Sequence, residues 1–267
     1  PKDYLSLPKM SRRIILHAGF HKTGTTTLQE TLALNATMLL PHVELYLQHG
    51  ALISSLSRAV LDFSGNRCKA TKADITTCAR AFFSLIDQDD PRPVLVSSES
   101  LAGHFPGSSG VGKYEPAPIA MALIRDAWRD VAGNTDSFET YYSTRRTGWL
   151  ASCHWQRLKN NRATISLQDY IDKYAIAADH DAILADLRAR IGAHAVHTAA
   201  LEDIDHPVDP VLNLLDLTHL REDLTFPPNA NIFLGEEARA RLLELNRSNI
   251  WGSDFERAKA AILRGDT

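Results

Sequence analysis

Residues 17–29, HAGFHKTGTTTLQ, have the residue types and the spacing of an anion-binding loop. Gly19 and Gly24 match the G-x-x-x-x-G part of the P-loop, the motif that binds phosphate groups in nucleotide enzymes. That motif continues with lysine, but here Thr25 follows the second glycine and the lysine, Lys22, lies inside the loop. Backbone N–H groups in a glycine-containing turn that leads into a helix bind anions, and threonine hydroxyls add further donors. The segment therefore predicts a phosphate site with a displaced lysine.

The position of Lys22 indicates which phosphate chemistry the loop serves. In nucleoside-triphosphate enzymes the lysine contacts the β- and γ-phosphates, a Ser or Thr binds Mg²⁺, and an Asp at a strand end completes the metal site. Here the apolar residues 94–96 are followed by Ser-Ser-Glu, with no Asp. A lysine within the loop can instead face the oxygen that joins a 5′-phosphate to a group being transferred. There it would stabilise the charge that develops on the leaving oxygen without a metal ion.

These residues need a scaffold, and the chain predicts one in which strands alternate with helices. The predicted strands cover residues 12–18, 92–99, 137–144 and 194–201. The predicted helices cover residues 25–40, 43–63, 74–86, 119–132, 149–159, 166–174, 179–191, 235–246 and 253–263. This alternation predicts a three-layer α/β fold with a central parallel sheet flanked by helices. Since no linker divides the chain, we predict one domain over residues 10–267, and residues 1–9 form an irregular or appended arm.

The predicted sheet also says where a ligand should bind. In open parallel sheets, ligands bind at the carboxyl ends of the strands. Three polar segments follow predicted strands: the loop after Ala18, the turn at Ser98 and Glu99, and the segment after Thr144. We expect these three segments to meet at one edge of the sheet.

Composition limits the classes of partner. The formal net charge is −3, which argues against a nucleic-acid-binding protein and requires any anion site to be local. The chain has no apolar run of about 18 residues, so no membrane span is expected. Its three cysteines are too few for a disulfide framework, which favours a reducing compartment and a cytoplasmic location.

The loop resembles the 5′-phosphosulfate-binding loop of the sulfotransferases, and its wording is closest to the bacterial carbohydrate-type branch. The resemblance implies a P-loop-derived sheet, 3′-phosphoadenosine 5′-phosphosulfate as the co-substrate, and no required metal ion. It implies that Lys22 is the catalytic lysine. It also implies a set of 5′-phosphate-binding residues, namely Lys22, Thr23, Gly24, Thr25, Thr26 and Thr27.

A second segment, YYSTRRTGWLASCHWQRLK at residues 141–159, resembles the 3′-phosphate site of the same family. That site has an Arg at a strand end and a Ser two helical turns later. The family usually separates the two by eight residues, whereas Arg145 precedes Ser152 by seven. A contraction by one residue leaves Arg145 and Arg146 as alternatives, of which we favour Arg145 together with Ser152.

An acceptor hydroxyl also needs a base within hydrogen-bonding distance. Glu99 stands at the end of a predicted strand, near the expected cleft. The segment Ser-Ser-Glu resembles the one that bacterial sulfotransferases have at this place. We therefore expect Glu99 to be the base, with His104 as the second candidate and His21 as the third.

The sequence thus predicts a sulfotransferase that acts on a small-molecule or carbohydrate hydroxyl. Two alternatives stay open at this point. One is an ATP- and Mg²⁺-dependent small-molecule kinase with a degenerate P-loop. The other is a nucleotide-binding protein without catalytic activity. The acceptor itself and the oligomeric state are not predicted.

Overall fold

The computed structural model describes residues 12–48, 50–108, 110–134, 137–228 and 233–266. The arm predicted for residues 1–9 lies outside the described residues. Among the helices in the described part of the chain, none combines the length and the apolar composition that a membrane crossing requires.

A parallel sheet forms the centre of the described structure. Its strands are β1 (Ile14–His17), β2 (Glu44–Leu47), β3 (Val94–Ser97), β4 (Phe138–Thr144) and β5 (Val196–Ala200). They lie in the order β2-β3-β1-β4-β5, and every neighbouring pair is parallel. β1 is central and its residues are all buried, because β3 pairs with it on one side and β4 on the other.

Helices fill the connections between the strands. The α-helices are α1 (Thr25–Leu34), α2 (Ala36–Leu39), α3 (Ala51–Gly65), α4 (Lys69–Phe83), α5 (Pro116–Ala132), α6 (Trp149–Asn161), α7 (Leu167–Tyr174), α8 (His180–Ile191), α9 (Asp209–Leu214), α10 (Glu236–Arg247) and α11 (Gly252–Arg264). Short 3-10 segments cover Glu99–Ala102, Ala175–Ala178, Ala193–Ala195, Leu201–Asp203 and Thr218–Asp223.

The two faces of the sheet are covered by different helices, because side chains alternate between faces along a strand. Ile14 and Leu16 of β1 lie in a cluster that includes buried residues of α3, α4, α5 and α8. Ile15 points to the other face and packs in a cluster with residues of α1, α2 and α9. The structure therefore confirms the predicted α/β class, with a central parallel sheet between helical layers.

A third apolar cluster joins α6 to the last two helices. Trp155 and Leu158 of α6 are buried with Leu242 of α10 and Phe255 of α11. This packing holds α6 in place beside the carboxyl end of β4.

Two details of the predicted elements are wrong. A single helix was predicted over residues 43–63, but the chain first forms β2, whose Glu44 N–H donates to the Pro93 carbonyl next to β3 at 2.9 Å. The helix predicted over residues 25–40 is interrupted at Asn35. The Asn35 amide donates to the carbonyls of Thr31 and Thr225, each at 2.7 Å, and so ties the helix end to a distant segment.

The strand order creates a crevice at the carboxyl end of β1. The chain moves from β1 to β2 and β3 on one side, and then crosses to β4 and β5 on the other. Ligands of open parallel sheets bind at such a reversal. The ends of β1, β3 and β4 lead into residues 18–24, the 3-10 segment Glu99–Ala102 and residues 145–148.

Candidate active site

The loop between β1 and α1 runs close against the end of β4. The Ala18 N–H donates to the Tyr141 carbonyl at 3.1 Å, and the Phe20 N–H to the Ser143 carbonyl at 3.4 Å. A Cβ atom at Gly19 would collide with Ser143 Oγ and lie 2.7 Å from His17 Nε2. Glycine at position 19 therefore permits this close approach of the loop to β4.

Two left-handed residues shape the second half of the loop. Lys22 has φ +65° and Gly24 has φ +91°. Gly24 is the N-cap of α1, and its carbonyl accepts the first helical hydrogen bond, from Leu28 N–H at 3.0 Å. The N–H groups of the first helical turn have no helical partner, and an anion at this end of α1 would satisfy them. Lys22 holds its strained conformation at a cost of about 1–2 kcal/mol, as is common at functional sites.

Thr23 is fully buried and does not line the cavity, unlike the other predicted loop residues. Its hydroxyl donates to the Phe20 carbonyl and lies 2.6 Å from Ser143 Oγ. The side chain therefore closes the loop and fastens it to β4. Its place in the predicted phosphate-binding set has no side-chain support in this structure.

A cavity of about 1040 Å³ opens above the loop. The predicted site residues on its wall are Lys22, Gly24, Thr25, Thr26, Thr27, Glu99, Arg145 and Ser152. The three segments predicted to meet at the carboxyl ends of the strands thus share one cavity. Within the described ranges, no group of three or more His, Cys, Asp or Glu side chains is arranged to hold a metal ion.

Lys22 is partly removed from water in this cavity. Burial lowers the pKa of its ammonium group, and the charge of Lys159 lowers it further, whereas Glu99 acts in the opposite direction. The charged lysine is thus destabilised unless an anion approaches, which makes it a ready partner for one.

Arg145 and Ser152 are in direct contact. Arg145 Nη1 donates to Ser152 Oγ at 2.8 Å, and its Nε donates to the Thr147 carbonyl at 2.9 Å. Arg146 is exposed and engaged elsewhere. Its guanidinium pairs with Asp203, and its backbone N–H donates to Glu202 at 3.0 Å. Of the two arginines, only Arg145 lines the cavity.

The three candidate bases have different surroundings. Glu99 lies at the cavity and its Oε2 accepts a hydrogen bond from the Thr25 hydroxyl at 2.5 Å. His104 does not line the cavity, and its backbone N–H donates to Ser64 Oγ at 2.9 Å. His21 does line the cavity, and its Nδ1 is 2.9 Å from the Tyr114 hydroxyl. Position alone therefore favours Glu99 and His21 over His104.

Other cavity residues lie outside the predicted set of site residues. On α6, Trp155 and Lys159 follow Ser152 by three and seven residues, which places all three on one face of the helix. The Lys159 ammonium lies 5.7 Å from the centre of the Trp155 ring. Phe233 and Arg239 close the same side from the C-terminal part of the chain. The helical spacing from Ser152 was a signal for the α6 residues, whereas nothing local indicated the C-terminal pair.

Known proteins show little similarity to the chain in sequence. No family model matches the chain, and no curated protein matches it. The chain is similar to the crystal structure of a sulfotransferase from Alicyclobacillus acidocaldarius, with 15% sequence identity and a TM-score of 0.46. The similarity covers 93% of this chain and 100% of that one.

Proposed function

We propose that the protein is a sulfotransferase that moves a sulfuryl group from 3′-phosphoadenosine 5′-phosphosulfate to an acceptor hydroxyl. One observation carries this proposal: the Lys22 loop and the Arg145–Ser152 pair line the same cavity. A nucleotide with anionic groups on both its 5′ and its 3′ position has the charges that two such sites would bind.

The 5′ side of the donor belongs at the loop. The N-terminal turn of α1 offers backbone N–H groups, and Thr26 and Thr27 add hydroxyls at the cavity wall. The Thr25 hydroxyl is directed to Glu99, so Thr25 contributes through its backbone N–H group. Lys22 stands beside this turn and supplies a positive charge close to the oxygen between phosphorus and sulfur.

The 3′-phosphate belongs at Arg145 and Ser152. The hydrogen bonds that Arg145 makes with Thr147 and Ser152 fix its guanidinium group before any ligand binds. A guanidinium held in this way loses little conformational freedom when it contacts a phosphate group. Ser152 adds a hydroxyl from the first turn of α6.

The transfer itself is an in-line displacement at sulfur. The acceptor oxygen forms a bond to sulfur while the bond from sulfur to the bridging oxygen breaks, and its electron pair stays on the phosphate oxygen. Lys22 stabilises that developing charge. The hydroxyl proton passes to the Glu99 carboxylate. The products are a sulfate ester and adenosine 3′,5′-bisphosphate, and no metal ion takes part in the step.

We further propose that the acceptor is a carbohydrate or another small molecule with a free hydroxyl. A volume of about 1040 Å³ slightly exceeds the roughly 300–1,000 Å³ that single small-molecule sites occupy, which agrees with a cavity shared by the donor and an acceptor. Gln156, Asn160 and Trp155 line the cavity with amide and aromatic groups of the kind that contact sugars. The bacterial carbohydrate-type branch and a cytoplasmic location complete the proposal. The branch is proposed from the sequence of the loop, and the location from three cysteines that are unpaired in the structure.

Calorimetry tests the proposal. The protein should bind adenosine 3′,5′-bisphosphate in a buffer containing a metal chelator. Tight binding of ATP with Mg²⁺, together with no binding of the bisphosphate, would contradict the proposal and favour a kinase. Binding of the bisphosphate without turnover of the sulfated donor, tested with a panel of sugar hydroxyls, would favour a nucleotide-binding protein without catalytic activity.

A further inference from the structure

His21, next to Lys22 in the loop, is held by an unusual pair of contacts. The buried Tyr114 hydroxyl accepts a hydrogen bond from the His21 backbone N–H at 3.2 Å and lies 2.9 Å from His21 Nδ1. The Trp149 indole N–H donates to the His21 carbonyl at 2.7 Å. The His21 ring stacks on the Tyr114 ring with an interplanar angle of 16°. It packs edge-on against the Phe105 ring, with 5.3 Å between the two ring centroids. These contacts fix both the backbone and the orientation of the imidazole.

The contacts also assign the tautomer. Tyr114 has one hydroxyl proton, and in the described part of the chain its hydrogen-bond partners are the two His21 atoms. Because the backbone N–H can only donate, the phenol proton is left for Nδ1. If Nδ1 carried a proton instead, the buried phenol proton would have no acceptor, which is costly. Burial raises the pKa of Tyr114 well above its usual value, so the phenol keeps its proton. Nδ1 is therefore the acceptor and Nε2 carries the proton.

The Nε2–H group is available to a ligand in the cavity. His21 lines the cavity, and among the described residues Nε2 has no protein partner and is not a buried atom. Burial lowers the pKa of His21, and the charges of Lys22 and His104 act in the same direction, while Glu99 opposes them. The imidazole is thus neutral at neutral pH, and it places a fixed N–H donor beside the lysine of the loop.

We propose that His21 is a further catalytic residue, whose neutral Nε2–H donates a hydrogen bond to a non-bridging oxygen of the phosphosulfate. The inference rests on the proposed sulfotransferase function. It separates His21 from the base: in the transfer step Glu99 takes the acceptor proton, and His21 keeps its own. The Nε2–H group of His21 is in position before the substrate binds. It therefore orients the sulfuryl group for in-line attack at no cost in reorganisation.

Nitrogen-15 NMR of the protein with labelled histidine tests the tautomer without any turnover. The His21 signals, assigned by their loss in His21→Gln, should show a protonated Nε2 and an unprotonated Nδ1 at pH 8. Addition of the sulfated donor without acceptor should shift the Nε2 proton. In Tyr114→Phe the Nδ1 partner is lost, and the two tautomers should mix. A protonated Nδ1 in the wild-type protein, or an Nε2 proton that the donor does not shift, would overturn the inference.

Two substitutions separate a hydrogen-bond donor from a base or a structural residue. The glutamine amide nitrogen reaches the place of Nε2, whereas the asparagine amide reaches only that of Nδ1. His21→Asn should lower kcat by about 10²-fold, which is typical for loss of one such donor. His21→Gln should be about tenfold faster than His21→Asn, with no change in the pH profile. Equal losses in both variants, together with loss of an ionisation from the profile, would make His21 the base. If His21→Asn retained wild-type kcat, the residue would serve only to hold the loop.

Failure of this inference and failure of the proposed function give different results. If the protein does not bind adenosine 3′,5′-bisphosphate, the sulfotransferase proposal fails, and with it the ligand assigned to His21. If the protein binds the bisphosphate but His21 is protonated at Nδ1, only the role of His21 is wrong.

Discussion

Substitution of Arg145 gives the sharpest test of the 3′-phosphate site, because its neighbour supplies a matched control. Arg145→Gln removes a guanidinium that lines the cavity and is already oriented by Thr147 and Ser152. A hydrogen bond to a charged group contributes about 1.5–3 kcal/mol. Loss of this contact should therefore weaken the binding of adenosine 3′,5′-bisphosphate by about tenfold to 150-fold.

Titration calorimetry with two ligands measures this effect directly. Arg145→Gln should weaken the binding of the bisphosphate. Its affinity for adenosine 5′-monophosphate, which has no 3′-phosphate, should stay within about twofold of the wild type. Arg146→Gln should change neither affinity, since Arg146 is exposed and pairs with Asp203. The reasoning is refuted if Arg145→Gln binds the bisphosphate like the wild type. It is equally refuted if Arg145→Gln and Arg146→Gln lose affinity for the bisphosphate to the same extent, or if Arg145→Gln weakens the binding of the monophosphate as much as that of the bisphosphate.

Four further predictions concern the loop and the buried histidines. Lys22→Ala should lower the rate of transfer by about 10²-fold or more. In urea unfolding, Lys22→Gly should be about 1 kcal/mol more stable than Lys22→Ala, because the backbone at position 22 is left-handed. Equal stabilities of the two variants would show that the backbone at position 22 is not strained. Thr23→Val leaves its buried partners unsatisfied and should cost about 1–3 kcal/mol in the same assay, and an unchanged midpoint would show that the hydroxyl does not hold the loop. Burial lowers the pKa of His17 and of His180 to about 4 from an ordinary value of 6.5. The unfolded chain therefore binds protons first as the pH falls, so the free energy of unfolding should decrease from pH 6.5 toward pH 4, by about 3 kcal/mol at most for each histidine. His180→Phe should flatten this dependence, and a slope like that of the wild type would mean that His180 does not contribute to it.

The parts of the fold that depend on local pattern could be predicted from the sequence. β1 and β3 begin with three consecutive apolar residues each, and both strands are buried on both faces. β2 was missed because Glu44–Leu47 is a four-residue strand in an otherwise helical pattern. Among the described residues it is an edge strand that pairs with β3 alone. The hydrogen-bond partners of β2 lie about 50 positions away in the chain, so a local sequence pattern cannot predict this pairing.

The same distinction holds for the candidate site. The loop, Glu99 and the Arg145–Ser152 segment each follow a strand, so a parallel sheet had to bring them to one edge, and all of them line one cavity. Their roles remain predictions. The setting of His21 could not be predicted, because it depends on Tyr114 and Trp149, which are 93 and 128 residues away in the chain. Only the packed structure shows the contacts that hold the histidine beside the lysine.

A crystal structure of the protein with adenosine 3′,5′-bisphosphate tests the central claim most directly, because it locates both phosphate groups. We predict the 5′-phosphate at the N-terminus of α1 beside Lys22, and the 3′-phosphate in contact with Arg145 and Ser152. A bisphosphate bound outside the cavity, or bound with its 3′-phosphate away from Arg145, would contradict the account.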